Sequence, residues 1–168
     1  VGRPAIRAVS AHQDLELVGV VVANPAKVDR DAGDIAGIAP TGVLATADGM
    51  GLLARGGIDA VVYTATADIR PQEAYGELLA CLESGANVVS TAFYPLLHPA
   101  CTPPELKPLV DAACEKGRSS VCVSGIDPGW ALDILPVLLS GIVADIRGVR
   151  CQEIFNYAFY APPDVVRH

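Results

Sequence analysis

Ile58-Asp59-Ala60-Val61-Val62-Tyr63-Thr64-Ala65 is followed by a helical stretch opening at Pro71, and then by Ala86-Asn87-Val88-Val89-Ser90-Thr91. The two apolar runs are short and rich in valine, as strands buried between helices are. Between them Ala74, Leu78, Cys81 and Leu82 recur at helical spacing. Pro71 suits the first helical turn, Glu73 favours the positive end of the helix dipole, and Gly85 suits a stop. Strand, helix, strand in this order predicts a parallel βαβ unit.

The pattern extends in both directions. Upstream, residues 3–12 read as a helix, with Pro4 in its first turn and a narrow stripe of Ile6 and Val9. Leu15-Glu16-Leu17-Val18-Gly19-Val20-Val21-Val22-Ala23 reads as a strand that ends as an unbroken apolar run. Asn24-Pro25 breaks it, and a polar loop with a short helix follows. A short strand is expected at 42–46 and a helix from an Asp48 cap to Arg55, ended by Gly56-Gly57. Downstream, Leu106, Leu109, Val110, Ala113 and Cys114 mark a helix ending at Gly117, and 119–124 a further strand. Asp127-Pro128-Gly129 opens a helix to about Ser140, and 149–160 reads as a long strand. The fold class expected is α/β, a Rossmann-like doubly wound parallel sheet without its first strand, followed by the beginning of an α+β second domain. Residues 1–126 form the dinucleotide-binding part, 127–148 a connecting helix, and 149–168 the start of a substrate or dimerisation domain.

Composition fits this reading. The chain has 168 residues, 51% of them hydrophobic and 18% charged, which describes a globular chain rather than a disordered one. A net charge of −7 without any Lys/Arg cluster argues against nucleic acid as a partner. No apolar stretch approaches the roughly 20 residues of a membrane helix. Val1-Gly2-Arg3-Pro4 has no apolar h-region behind it, and the five cysteines form no C-x-x-C pair, so a reducing cytoplasm is expected. Buried free thiols are the reading for most of these cysteines. His12, His98 and His168 lack ligand spacing, and no metal site is expected.

In a parallel sheet, ligands bind at the carboxyl ends of the strands. The first such turn normally carries G-x-G-x-x-G, which brings a pyrophosphate to a helix N-terminus. Gly2 stands where the last of these glycines would lie. Asn24, Lys27 and Arg30 follow the next strand, where an adenosine ribose would sit. Cations rather than a carboxylate at that tip favour NADP over NAD, because a 2′-phosphate attracts cations. The same two cations also read as solvated loop charges. Thr64, Ala65, Thr66, Ser90 and Thr91 end two further strands with small or hydroxyl side chains. These suit a cofactor passing close, and equally suit turns.

Asp14-Leu15-Glu16-Leu17-Val18-Gly19-Val20, Asp31-Ala32-Gly33 and Asn87-Val88-Val89-Ser90-Thr91 resemble the cofactor domain of dihydrodipicolinate-reductase-like proteins. Gly125-Ile126-Asp127-Pro128-Gly129-Trp130-Ala131-Leu132-Asp133-Ile134-Leu135-Pro136 is similar to a G-x-[ND]-P-G-[FW]-x-x-D-x-x-P segment. That segment marks the 2,4-diaminopentanoate dehydrogenase and native amine dehydrogenase branch. The resemblance covers nearly the whole chain. It implies reversible hydride transfer between NADP or NAD and a small amine, imine or carbonyl substrate, and a homodimer. It implies Gly2 and Arg3 at the pyrophosphate, and Thr64 to Thr66 near the ribose and nicotinamide. Asp127, Pro128 and Gly129 would border the nicotinamide pocket, although Asp-Pro-Gly also suits a plain helix cap.

Two departures stand out. Members of the amine dehydrogenase type carry an acidic residue shortly after the strand matching 88–91, whereas here Ala92-Phe93-Tyr94-Pro95-Leu96-Leu97-His98 has none. Tyr94 and His98 are the only proton carriers there, and both also read as packing residues. The histidine-rich segment of true dihydrodipicolinate reductases is missing too. The catalytic residue is therefore unassigned, and the isolated chain is expected to be weak or inactive. A non-catalytic ligand-binding or interaction protein is the competing expectation.

Overall fold

A computed structural model describes residues 1–154 and 156. Helices α1 (Gly2–Ala11), α2 (Ala32–Ala36), α3 (Gly49–Ala54), α4 (Pro71–Glu83), α5 (Lys107–Gly117) and α6 (Leu135–Ser140) alternate with five short strands. The strands are β1 (Val20–Val21), β2 (Ala45–Thr46), β3 (Ala60–Tyr63), β4 (Asn87–Ser90) and β5 (Val121–Val123). All strand pairs are parallel, and the architecture is Rossmann-like α/β. The strands form two sheets, β1-β2 and β3-β4-β5. Among the described residues β1 and β3 each pair on one side only, so each presents an unpaired edge.

The larger sheet is built on α4 and α5. Tyr63, Val88, Ser90 and Val123 point toward these helices, and Phe93, Leu78 and Leu82 are wholly buried between. The inner face of α4 is the expected one, with Ala74, Leu78, Cys81 and Leu82 all buried. On α5, Val110 and Ala113 are buried, but Leu109 faces outward. The smaller core joins α1, α2 and β2 through Ile6, Ala32, Ile35, Ala36 and Ala45.

Gly117 lets α5 approach α4. A Cβ there would collide with the Leu82 carbonyl, and Ser119 Oγ donates to that same oxygen at 2.7 Å. Gly117→Ala is expected to lower the unfolding free energy by about 1–3 kcal/mol, the usual cost of overpacking. Urea denaturation would measure it.

Several elements depart from the sequence reading. The strand expected over residues 15–23 is reduced to Val20–Val21, with Val22 N–H donating to Thr46 O at 2.9 Å. Leu15 and Val18 are half exposed. A strand needs a ladder partner, and β2 is only two residues long. Among the described residues the sheet is also not covered on both faces. Val62, Val89 and Cys122 lie in register on the face away from α4 and α5, and all three are exposed. Cys101 and Cys151 are exposed as well, so only Cys81 is a fully buried thiol and Cys114 a partly buried one. Burial pushes both of these thiols up from their ordinary pKa.

The helix expected from Asp127 starts later. Gly129 has φ 134°, outside any helical region, and the chain turns into a π-helical segment at Trp130–Ile134 before α6 begins. Of the strand expected over 149–160, residues 149–154 and 156 show none. Residues 155 and 157–160 lie outside the described residues. No helix among the described residues is long and apolar enough to cross a membrane.

Candidate dinucleotide and substrate site

Parallel strands bring their carboxyl ends to one edge, and here the chain places α1 beside it. Gly2, the first residue of α1, lies so close to Thr64 that a Cβ on it would stand 3.5 Å from Thr64 Oγ1. No acidic residue occupies the first turn of α1 and no side chain caps it. The first turn of α1 thus brings no carboxylate of its own to its N-terminal N–H groups and dipole. Arg3, in that first turn, is exposed. Thr64, Ala65 and Thr66 continue directly from β3, with Ala65 and Thr66 exposed.

The ends of β4 and β5 open on a cavity of about 600 Å³. Thr91, Val123, Asp127, Pro128 and Glu153 line it, with Tyr94 and Leu97 from the turn after β4. The Asp127 loop is tightly held. Trp130 N–H donates to Gly125 O at 2.8 Å, and a Cβ on Gly129 would strike the Gly125 backbone. Gly129 is buried behind this loop, so Asp127 and Pro128 are the members that meet the cavity. The Asp127–Pro128 peptide bond is cis.

The remaining residues singled out from sequence have other surroundings. Ser90 is buried, and its hydroxyl donates to Tyr63 O and accepts from Ala92 N–H, both at 3.0 Å. Both roles are thus used within the sheet, and Ser90 braces β4 rather than presenting a hydroxyl to a ligand. Asn24 Oδ1 accepts from Ala26 N–H at 3.0 Å and caps the 3-10 turn Pro25–Lys27. Lys27 is half-buried and Arg30 exposed, and neither makes an ion pair among the described residues. Both stand after β1, apart from the cavity lining. His98 Nδ1 accepts from Ala100 N–H and braces the proline-rich loop.

Sequence reasoning passed over two features. One is Glu153, which reaches the cavity from about 60 residues beyond Thr91, a non-local approach that carries no local signal. The other is a ring of three side chains at the base of the 64–70 loop. Arg70 donates from Nη1 to Glu77 Oε1 at 2.7 Å and from Nη2 to Glu77 Oε2 at 2.9 Å. Arg70 Nη2 also donates to Tyr63 Oη at 2.8 Å, and Tyr63 Oη donates to Glu77 Oε2 at 2.6 Å. The Arg70 guanidinium holds the Glu77 carboxyl below its ordinary range. Burial, and then the Glu77 carboxylate, push the Tyr63 phenol well above its own. Arg70 and Glu77 do not stand at the three- or four-residue spacing of a helical ion pair, so no local signal marks the ring.

A parallel α/β sheet with a glycine-led helix and a cavity at its carboxyl edge is the architecture of nucleotide-binding α/β proteins. No protein-family model matches the chain. It is 50% identical to an amine dehydrogenase of Streptomyces virginiae over all of this chain and 47% of that protein. It is 24% identical to the 2,4-diaminopentanoate dehydrogenase of Acetoanaerobium sticklandii over 54% of this chain and 26% of that one. The solved structure of an amine dehydrogenase from Mycobacterium smegmatis superposes with a TM-score of 0.68 at 24% identity. That match covers 83% of this chain and 41% of the other, and it shows the shared fold. The chain spans about half the length of the Streptomyces relative. Both sequence relatives support kinship with the amine dehydrogenase and 2,4-diaminopentanoate dehydrogenase branch.

Proposed function

We propose that this chain is the dinucleotide-binding part of an NAD(P)-dependent oxidoreductase that interconverts a small amine with its imine or carbonyl product. The observation that carries the reading is the meeting of the first turn of α1, Thr64 and the cavity at the ends of β4 and β5. The residues present fit such a cofactor. Gly2 allows close approach, the uncapped first turn of α1 suits a pyrophosphate, and Thr64 to Thr66 offer two hydroxyls beside it. When bound, the nicotinamide accepts or gives the hydride.

The cavity suits the other reactant. Among the described residues its lining has two carboxylates, Asp127 and Glu153, beside apolar walls from Leu97, Val123, Ile126 and Pro128, and no Lys, Arg or His side chain. An alkylammonium ion matches that combination of charge and apolar surface. The names of the two sequence relatives support the same substrate class. Asp127 and Glu153 would supply from other loops the carboxylate that the segment after β4 lacks. We propose a cytoplasmic protein, with a homodimer as its assembled form and neither nucleic acid nor membrane as a partner.

Lys27 and Arg30 favour NADP. In a fluorescence titration NADPH is expected to bind more tightly than NADH. Lys27→Ala with Arg30→Ala is expected to weaken NADPH by about 10-fold or more, the loss of one or two charge-assisted contacts to phosphate, and to leave NADH unchanged. Equal loss for both cofactors would remove the argument for NADP. Failure of either cofactor to bind at millimolar concentration would remove the dinucleotide reading.

A further inference from the structure

The Tyr63–Arg70–Glu77 ring has a place in the fold that core packing does not require. Tyr63 is the last residue of β3, and Arg70 immediately precedes α4. The ring therefore joins the two ends of one loop, residues 64–70. Glu77 on α4 acts as the fixed post, because α4 is anchored in the core by Leu78 and Leu82. Ala67, at the middle of the loop, is buried, and Arg70 N–H donates to Ala67 O at 3.3 Å. What this arrangement leaves projecting is Thr64-Ala65-Thr66, with Thr64 against Gly2 of α1.

We propose that Tyr63, Arg70 and Glu77 are positioning residues for the dinucleotide site, closing the base of the 64–70 loop so that Thr64-Ala65-Thr66 is held beside the first turn of α1. The proposal rests on the dinucleotide reading above. The bidentate fork between Arg70 and Glu77 fixes orientation as well as distance, which a lysine would not do. The phenol of Tyr63 ties this fork to the strand end, while its ring is held against Phe93 at 4.8 Å between centroids. A loop preorganised in this way avoids the ordering cost when ligand binds.

The variants Glu77→Gln, Arg70→Met, Arg70→Lys and Tyr63→Phe test this, on the form of the protein that binds NADPH. Three quantities are read for each: the NADPH dissociation constant well below the unfolding temperature, the urea midpoint, and amide hydrogen exchange of residues 64–70. Glu77→Gln and Arg70→Met are expected to weaken NADPH on the order of 10-fold, as lost preorganisation does, and to speed exchange in the loop. Arg70→Lys is expected to recover part of both. Tyr63→Phe keeps the ring packing and removes one oxygen, so it remains informative if another variant fails to fold. It is expected to weaken NADPH less than Glu77→Gln but measurably.

A merely structural ring would lower the urea midpoint and leave the dissociation constant of the folded protein within twofold of wild type in every variant. That result overturns the positioning role while the dinucleotide reading stands. If wild-type protein binds neither NADPH nor NADH, the dinucleotide reading itself fails and the positioning role fails with it.

Discussion

A chain extended at its N-terminus by one parallel strand and a glycine-rich turn leading into Gly2 will melt about 8–16 °C higher than the chain as it stands, the shift that roughly 4 kcal/mol gives at this size. The expectation follows from the two free edges. Neither β1 nor β3 has a second partner among the described residues, and every strand pair is parallel. A parallel strand between them would join the two-stranded and three-stranded sheets into one. Each new ladder bond contributes about 1 kcal/mol net, and each buried valine or leucine about 1.5–3 kcal/mol. Against this stands about 1–2 kcal/mol per ordered residue, so a five-residue strand leaves a gain of a few kcal/mol. NADPH affinity is expected to rise in the same protein, since the added turn supplies backbone N–H groups next to α1. Circular dichroism melting and fluorescence titration, run side by side, check both. An extended chain that melts at the same temperature would show that the edges do not accept a strand.

The same edges explain what was readable from sequence. The helices were, because their signals are local. On α4 the spacing of Ala74, Leu78, Cys81 and Leu82 names the buried face correctly, and Asp48 caps α3 by accepting from Gly51 N–H as its position predicts. Strand lengths were not. Leu15-Glu16-Leu17-Val18 has the composition of a strand, yet a strand exists only where a distant segment pairs with it. The exposed Cys122 has the same cause, since it sits on a sheet face that the described helices leave open.

The site divides along the same line. Gly2, Thr64 and Thr91 stand at the carboxyl edge, where the alternation of strands and helices puts them, and Asp127 and Pro128, singled out through the family resemblance, line the cavity there. Ser90 is one residue short of the edge, and that single step along β4 turns its hydroxyl into the sheet. Glu153 and the Tyr63–Arg70–Glu77 ring depend on side chains that meet only after folding, and no local motif announces them. The cavity has carboxylates, brought by the loop after β5 and by the segment near residue 153.

Replacing those carboxylates is expected to have the largest effect on turnover. In amine oxidation a bound alkylammonium ion must first give up a proton, and the carbon of the neutral amine could then pass a hydride to a bound nicotinamide, leaving an iminium C=N. Water adding to that carbon would lose one proton to give a carbinolamine. Protonation of its nitrogen and loss of the hydroxyl proton would release ammonia and the carbonyl product. Each proton needs an acceptor or donor in reach, and among the described residues of the lining Asp127, Glu153 and Tyr94 have side chains that can serve. Asp127→Asn with Glu153→Gln is expected to lower kcat/KM for small amines by about 10²-fold or more, the usual value of a positioned proton carrier. NADPH affinity should stay within about twofold, since the groups proposed for its pyrophosphate, ribose and 2′-phosphate lie on α1, at Thr64 to Thr66 and at Lys27 and Arg30. Of the two single variants, the proton carrier is the one whose substitution lowers kcat. The one that raises KM alone binds the ammonium charge, an interaction equal in ground and transition states. Steady-state kinetics on a panel of short primary amines separates them. Retention of kcat/KM within threefold in the double variant would assign the proton chemistry elsewhere, with Tyr94 the next candidate among the described lining residues.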